Sequence, residues 1–125
     1  YRLAALTVVP TLFEGGFPFP FGESLSVGTP VVMADIPATR IVVPAELAAR
    51  MLFDPYDPLA MAERIGWALD HRHELLAGQR PLYEALRRRT WEAVAEDYLA
   101  LLRQVAARSA RPRRAEPAGE QRGGR

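Results

Sequence analysis

The stretch from Leu6 to Asp35 constrains this chain more than any other. Leu6-Thr-Val-Val9 is a short, nearly continuous apolar run, the pattern of a strand buried on both faces in a parallel sheet. Pro10 ends it. Residues 14–22 are rich in Gly and Pro, and a short helix starts at Pro20 or Phe21 and stops at Gly28. Pro30-Val-Val-Met-Ala34 is a second apolar strand, closed by Asp35. Two carboxylates, Glu14 and Glu23, bracket the loop. Strand, loop, helix and strand in this order make a βαβ unit, and open α/β sheets take their ligands at the carboxyl ends of parallel strands.

The rest of the chain extends that unit. Pro37 and Pro44 punctuate residues 36–50, where one helical turn fits near Ala45–Arg50. Met51-Leu-Phe53 reads as a third short strand. Asp57 is a helix cap with Pro58 at the first helical position, where a missing N–H costs nothing. Met61, Ile65, Ala68 and Leu69 then share one helical face. Gly78 and Pro81 interrupt the next helical pattern, with Leu75 and Leu76 before the break and Leu82, Tyr83 and Leu86 after it. Thr90 caps a last helix with the stripe Trp91, Val94, Tyr98, Leu101, Leu102 and Val105. Its outer part, Leu101 to Val105, is expected to be poorly buried. The expected fold class is α/β: a partial Rossmann-like parallel sheet of about three short strands with C-terminal helices, where a complete domain has roughly six strands.

Charge and composition set further bounds. Residues 109–125 hold five Arg against two Glu, a net of +3, so with +1 overall the preceding residues carry −2. That basic segment lacks large apolar residues and is expected to be a disordered tail. The expected division is thus a domain at 1–108 and a tail at 109–125. All sixteen Lys-plus-Arg positions are Arg, which cannot act as a general base at neutral pH. With no cysteine there is no thiolate nucleophile and no Cys-ligated metal. No metal cluster, cofactor motif or nucleic-acid-binding pattern is visible, and no apolar run approaches the roughly 20 residues of a membrane span.

The segment Leu6–Asp35 resembles the donor-binding part of retaining glycosyltransferases of the GT-B fold, of the family-four kind. Ser24-Leu-Ser-Val-Gly28-Thr-Pro-Val-Val-Met-Ala-Asp35, Phe53-Asp-Pro-Tyr-Asp-Pro58 and Thr90-Trp-Glu-Ala-Val-Ala-Glu-Asp-Tyr98 resemble the continuation, and the likeness covers about residues 4–103. It implies that the chain is a fragment of a GT-B C-terminal domain, inactive alone, whose parent joins it to an N-terminal Rossmann-like domain. The implied partner is a nucleotide-sugar donor, without a divalent ion, and the implied place is the cytoplasm or the membrane periphery.

By the same resemblance Glu14 is the catalytic-site carboxylate that reaches the donor sugar, and Glu23 holds the ribose hydroxyls. Gly15, Gly16, Phe17 and Phe19 lie along the loop against phosphates and sugar, with Phe21 and Gly22 contributing as the helix opens and Glu23 in its first turn. Eight residues separate the two glutamates, where the family has seven. Pro18 and Pro20 also lack the N–H that a phosphate cradle uses. Thr11 and Thr29 read as strand-end caps as readily as ligand contacts, Asp35 as the start of a turn over a ligand contact, Arg40 as a surface charge over a phosphate contact, and His71 and His73 as surface helix. Trp67, Trp91 and Tyr98 read as core or interdomain packing. Two alternatives stand beside the transferase. One is a non-catalytic α/β remnant or nucleotide-binding module. The other is a different GT-B-like sugar enzyme, such as an epimerase or phosphorylase.

Overall fold

The structure is a computed structural model and describes residues 1–109. In chain order it contains β1 (Thr7–Val9), α1 (Phe19–Ser26), β2 (Val31–Ala34), α2 (Pro37–Arg40), α3 (Ala45–Met51), β3 (Leu52–Phe53), α4 (Pro58–Asp70), α5 (Arg72–Arg87) and α6 (Trp91–Ser109). The three strands form one parallel sheet in the order β1-β2-β3. Val8 lies opposite Val32, and Met33 lies between Val9 on one side and Leu52 on the other. The expected α/β fold with a three-stranded parallel sheet is what the chain adopts.

The central strand explains the packing. All four residues of β2 are buried, so Val31-Val-Met-Ala34 is apolar throughout instead of alternating. Phe21 and Leu25 of α1, Leu47 and Met51 of α3, Ala68 of α4 and Leu75 of α5 complete the core around it. The side of β2 facing β3 is covered late, because pairing starts only at Met33. Gln79 of α5 fills the gap. Its side-chain oxygen accepts from the Val31 N–H at 3.0 Å and its amide donates to the Val31 carbonyl, so one glutamine replaces a strand residue. Gln79 is fully buried, and a buried backbone pair left unmet costs about 1–3 kcal/mol for each group.

That lock corrects the reading of α5. Gly78 and Pro81 do not break the helix. It runs unbroken from Arg72 to Arg87 with Pro81 inside, and the break falls at His71, which ends α4 and begins α5. A proline in a helix interior costs roughly 3 kcal/mol. Gln79 and the buried Leu75 hold the helix in place around it. Gly78 sits where an added Cβ would meet Leu47 of α3 at 3.6 Å, so the glycine marks close helix approach and not a stop.

Residues 36–50 hold more helix than the prolines suggest. Pro37 opens α2, and the Thr39 hydroxyl accepts from the Ile36 N–H at 3.0 Å and donates to the Ala34 carbonyl at 2.8 Å. Leu69, expected on the buried face of α4, is exposed. The Asp57 cap is present: its carboxylate accepts from the N–H groups of Leu59 and Ala60 at 2.9 and 3.1 Å.

Tyr1–Arg88 forms one compact unit, and Arg89 onward belongs to a second. Within the second, Thr90 caps α6 by accepting from the Ala93 N–H, and Arg89 pairs with Asp97 at 2.9 Å. Leu101, Leu102 and Val105 are exposed as expected. Trp91 and Tyr98 are exposed too, which removes the core half of the expectation for them and leaves packing on another domain as the other half. The expected tail lies, apart from Ser109, outside the described residues.

Candidate functional site

The loop after β1 leaves the sheet at the carboxyl end of the strand and delivers the chain to the start of α1. Glu14 sits in it without helix or strand, half-buried, with no hydrogen-bonding side-chain partner among the described residues. Gly15 and Gly16 are exposed, and a Cβ added to either meets nothing within 4 Å. The N–H groups of Phe17 and Phe19 are likewise without protein partners among the described residues.

The start of α1 departs from expectation in one respect. The helix begins at Phe19, one or two residues early, with Pro18 as the flanking residue and Pro20 in its first turn. Glu23 is therefore the fifth helical residue and not in the first turn. Phe21 is also committed to the fold. Its N–H donates to the Pro18 carbonyl at 3.2 Å and its ring is fully buried. Of the first three helical N–H positions, Pro20 has no donor and Phe21 has spent its own, which leaves Phe19.

Phe17, Phe19, Phe21 and Gly22 come together, with Pro18, as one wall of a cleft of about 380 Å³. Phe17 and Phe21 meet edge to face, with ring centroids 5.2 Å apart. The opposite wall is Tyr83, Leu86 and Arg87 of α5, a contribution that sequence reasoning missed. Some 60 residues separate the two walls in sequence, and no local pattern announces the meeting.

Glu14 and Glu23 do not line this cleft. Glu23 is exposed and accepts a hydrogen bond from the Tyr1 hydroxyl at 2.8 Å. That bond, some loss of solvation and the negative charge beside it hold the Tyr1 phenol above the usual tyrosine range. Thr29 is settled as structural: it is buried, and its hydroxyl donates to the Tyr1 carbonyl at 3.0 Å. Thr11 closes its own turn onto the Phe13 carbonyl. Asp35 and Arg40 form a two-point ion pair, Nε to Oδ1 at 2.5 Å and Nη2 to Oδ2 at 2.9 Å. The pair and the nearby Asp54 raise the Arg40 pKa further above its already high value. His71 is exposed and stacks on the half-buried Trp67, with centroids 4.7 Å apart.

The family model described as Glycosyl transferases group 1 matches residues 1–71, from before β1 through α4. The chain belongs to that family. With its parallel α/β sheet, it is a chain of the GT-B type, and the chemistry of its class is glycosyl transfer. No curated protein and no solved structure matches it. Among the described residues no helix is long and apolar enough to cross a membrane.

Proposed function

We propose that this chain supplies the donor-facing half of a retaining glycosyltransferase of the family-four kind, moving a sugar from a nucleotide-sugar donor to an acceptor. The observation that carries the reading is the family match over the strand, loop, helix and strand of Leu6–Asp35, folded with the loop at the carboxyl end of β1. In this reading Glu14 addresses the donor sugar. Gly15, Gly16, Phe17 and Phe19 present backbone N–H groups, which suit a diphosphate near a helix N-terminus. Phe21 and Gly22 shape the cleft wall behind them. Glu23 binds the ribose hydroxyls, since a carboxylate gives charge-assisted bonds to a diol. To do so it must release the Tyr1 hydroxyl or share itself with it.

The partner in this reading is a second Rossmann-like domain of the same enzyme, N-terminal to these residues, which brings the acceptor and the cationic groups for the leaving diphosphate. Such charge stabilisation is a large part of catalysis in group transfer. The division into a domain at 1–108 and a basic tail belongs to the same proposal, as does a cytoplasmic or membrane-peripheral place of action. The test is stereochemical. The enzyme containing this chain is incubated with nucleotide sugars and the product's anomeric proton followed by NMR from the first turnover. Retention of the donor's configuration supports the reading, and an inverted first product overturns the assignment to a retaining family.

A further inference from the structure

Tyr1 is anchored at the C-terminal end of α1, while its hydroxyl reaches the middle of the helix. Its carbonyl accepts from the buried Thr29 hydroxyl at 3.0 Å and from the Ala4 N–H at 2.9 Å. Thr29 lies just past Gly28, beyond the end of the helix. Tyr1 is therefore held twice at its base. A tyrosine side chain has two torsions, so a fixed base leaves its hydroxyl little freedom. That hydroxyl lies 2.8 Å from Oε2 of Glu23.

Glu23 has no other side-chain partner among the described residues. It is exposed, and α1 carries no basic residue that could pair with it along the helix. An exposed glutamate samples many rotamers, and ordering it only when a ligand arrives costs affinity. The Tyr1 bond supplies that order beforehand. It also leaves the carboxylate competent. A carboxylate offers about four lone-pair sites over its two oxygens. Tyr1 takes one of them on Oε2, so Oε1 and the rest of Oε2 remain for the two hydroxyls of a diol. A latch that competes with the ligand needs a residue free to leave, and Tyr1 is tied down through its carbonyl.

We propose that Tyr1 is a positioning residue that pre-orients Glu23, through its hydroxyl, for the ribose diol of the donor. The inference rests on the reading of Glu23 as the ribose carboxylate and adds to it a residue outside the loop and helix of that site.

The test is calorimetry on the enzyme containing this chain. The probes are the ribonucleoside diphosphates of adenine, guanine, cytosine and uracil, and the 2′,3′-dideoxy counterpart of whichever binds most tightly. Tyr1→Phe keeps the ring and removes only the hydroxyl. It is expected to weaken the ribonucleotide about fivefold, the scale of one side chain left to be ordered on binding. The dideoxy counterpart offers Glu23 no diol and is expected to bind the variant as it binds the wild type. In a Glu23→Ala background, Tyr1→Phe is expected to have no further effect, because the two residues act as one unit. Unchanged affinity of Tyr1→Phe for the ribonucleotide overturns the proposal, and tighter binding overturns it in favour of a latch. Equal losses on the ribose and dideoxy nucleotides overturn it as well, since a merely structural role weakens both, and so does full additivity with Glu23→Ala. If Glu23→Ala weakens the ribonucleotide and Tyr1→Phe does not, this inference alone fails. If Glu23→Ala leaves the affinity unchanged, or none of these nucleotides binds, the donor reading of Glu23 fails and this inference falls with it.

Discussion

The two ends of α1 are built to opposite specifications. At its C-terminal end the turn is tied to the protein by backbone and side-chain hydrogen bonds. Gly28 adopts φ +84°, the left-handed conformation that a glycine takes without penalty. This lets the Thr29 N–H return to the Ser24 carbonyl at 3.0 Å and the Gly28 N–H to the Leu25 carbonyl at 3.1 Å, the paired bonds of a Schellman turn. The buried Ser24 hydroxyl donates to the Thr29 carbonyl at 2.9 Å and so accepts from Thr7 of β1 at 2.8 Å. At its N-terminal end no side chain caps the helix, the flanking residues are prolines, and the loop glycines stand clear of their surroundings. Polar groups satisfied inside the protein build the fold. Polar groups left open at the mouth of a strand are the ones a ligand can use.

The largest expected effect comes from breaking the closed end. Ser24→Ala removes two partly or fully buried hydrogen bonds and strands their partners, and is expected to cost about 2–3 kcal/mol in urea unfolding. Loss of less than half a kcal/mol would show that the closed end is not closed by Ser24. At the open end the matching change acts on binding and not on stability. Glu23→Ala is expected to weaken donor binding by about 2 kcal/mol in calorimetry, with Glu23→Gln losing less because it keeps one acceptor. Unchanged donor affinity would remove Glu23 from the site.

Smaller effects sharpen the contrast between glycines. Gly28→Ala forces a side chain into left-handed backbone and is expected to cost about 1–2 kcal/mol. Gly15→Ala meets no neighbour and is expected to leave the unfolding midpoint unchanged. Equal effects at the two positions would erase the distinction between the ends. The smallest effect is a titration. The Tyr1 pKa is raised, so the folded state's share from the Tyr1–Glu23 bond is fully present below the ordinary tyrosine range and lost as pH climbs through the raised value. Ultraviolet titration is expected to show Tyr1 ionising later in the native chain than in Glu23→Gln. Identical curves would mean that the bond does not persist in solution.

What the sequence made legible follows the same line between local and distant causes. Gly28 as a helix stop, Asp57 with Pro58, and Thr90 were readable because each acts on backbone within a few residues of itself. The parallel sheet was readable because β2 is apolar at every position. The loop's place at the strand exit followed from that order. The unbroken α5 was not readable, because Pro81 argues locally for a break while Gln79 answers it through Val31, 48 residues away. Nor was the far wall of the aromatic cleft, or the hold of Tyr1 on Glu23 across 22 residues. Which of core and interdomain packing applied to Trp91 and Tyr98 was not readable either, because an apolar stripe records a face and not its occupant.

The central claim is that the loop end of α1 is open for a ligand while its other end is closed by the protein. Amide hydrogen exchange with and without a nucleotide sugar tests it most directly, because Gly15, Gly16, Phe17 and Phe19 each carry an N–H without a protein partner among the described residues. The account predicts that these four amides exchange fast in the free chain and slow when donor is added, while Ser24 to Val31 exchange slowly in both states. Donor binding that protects other segments and leaves these four amides unchanged would contradict it.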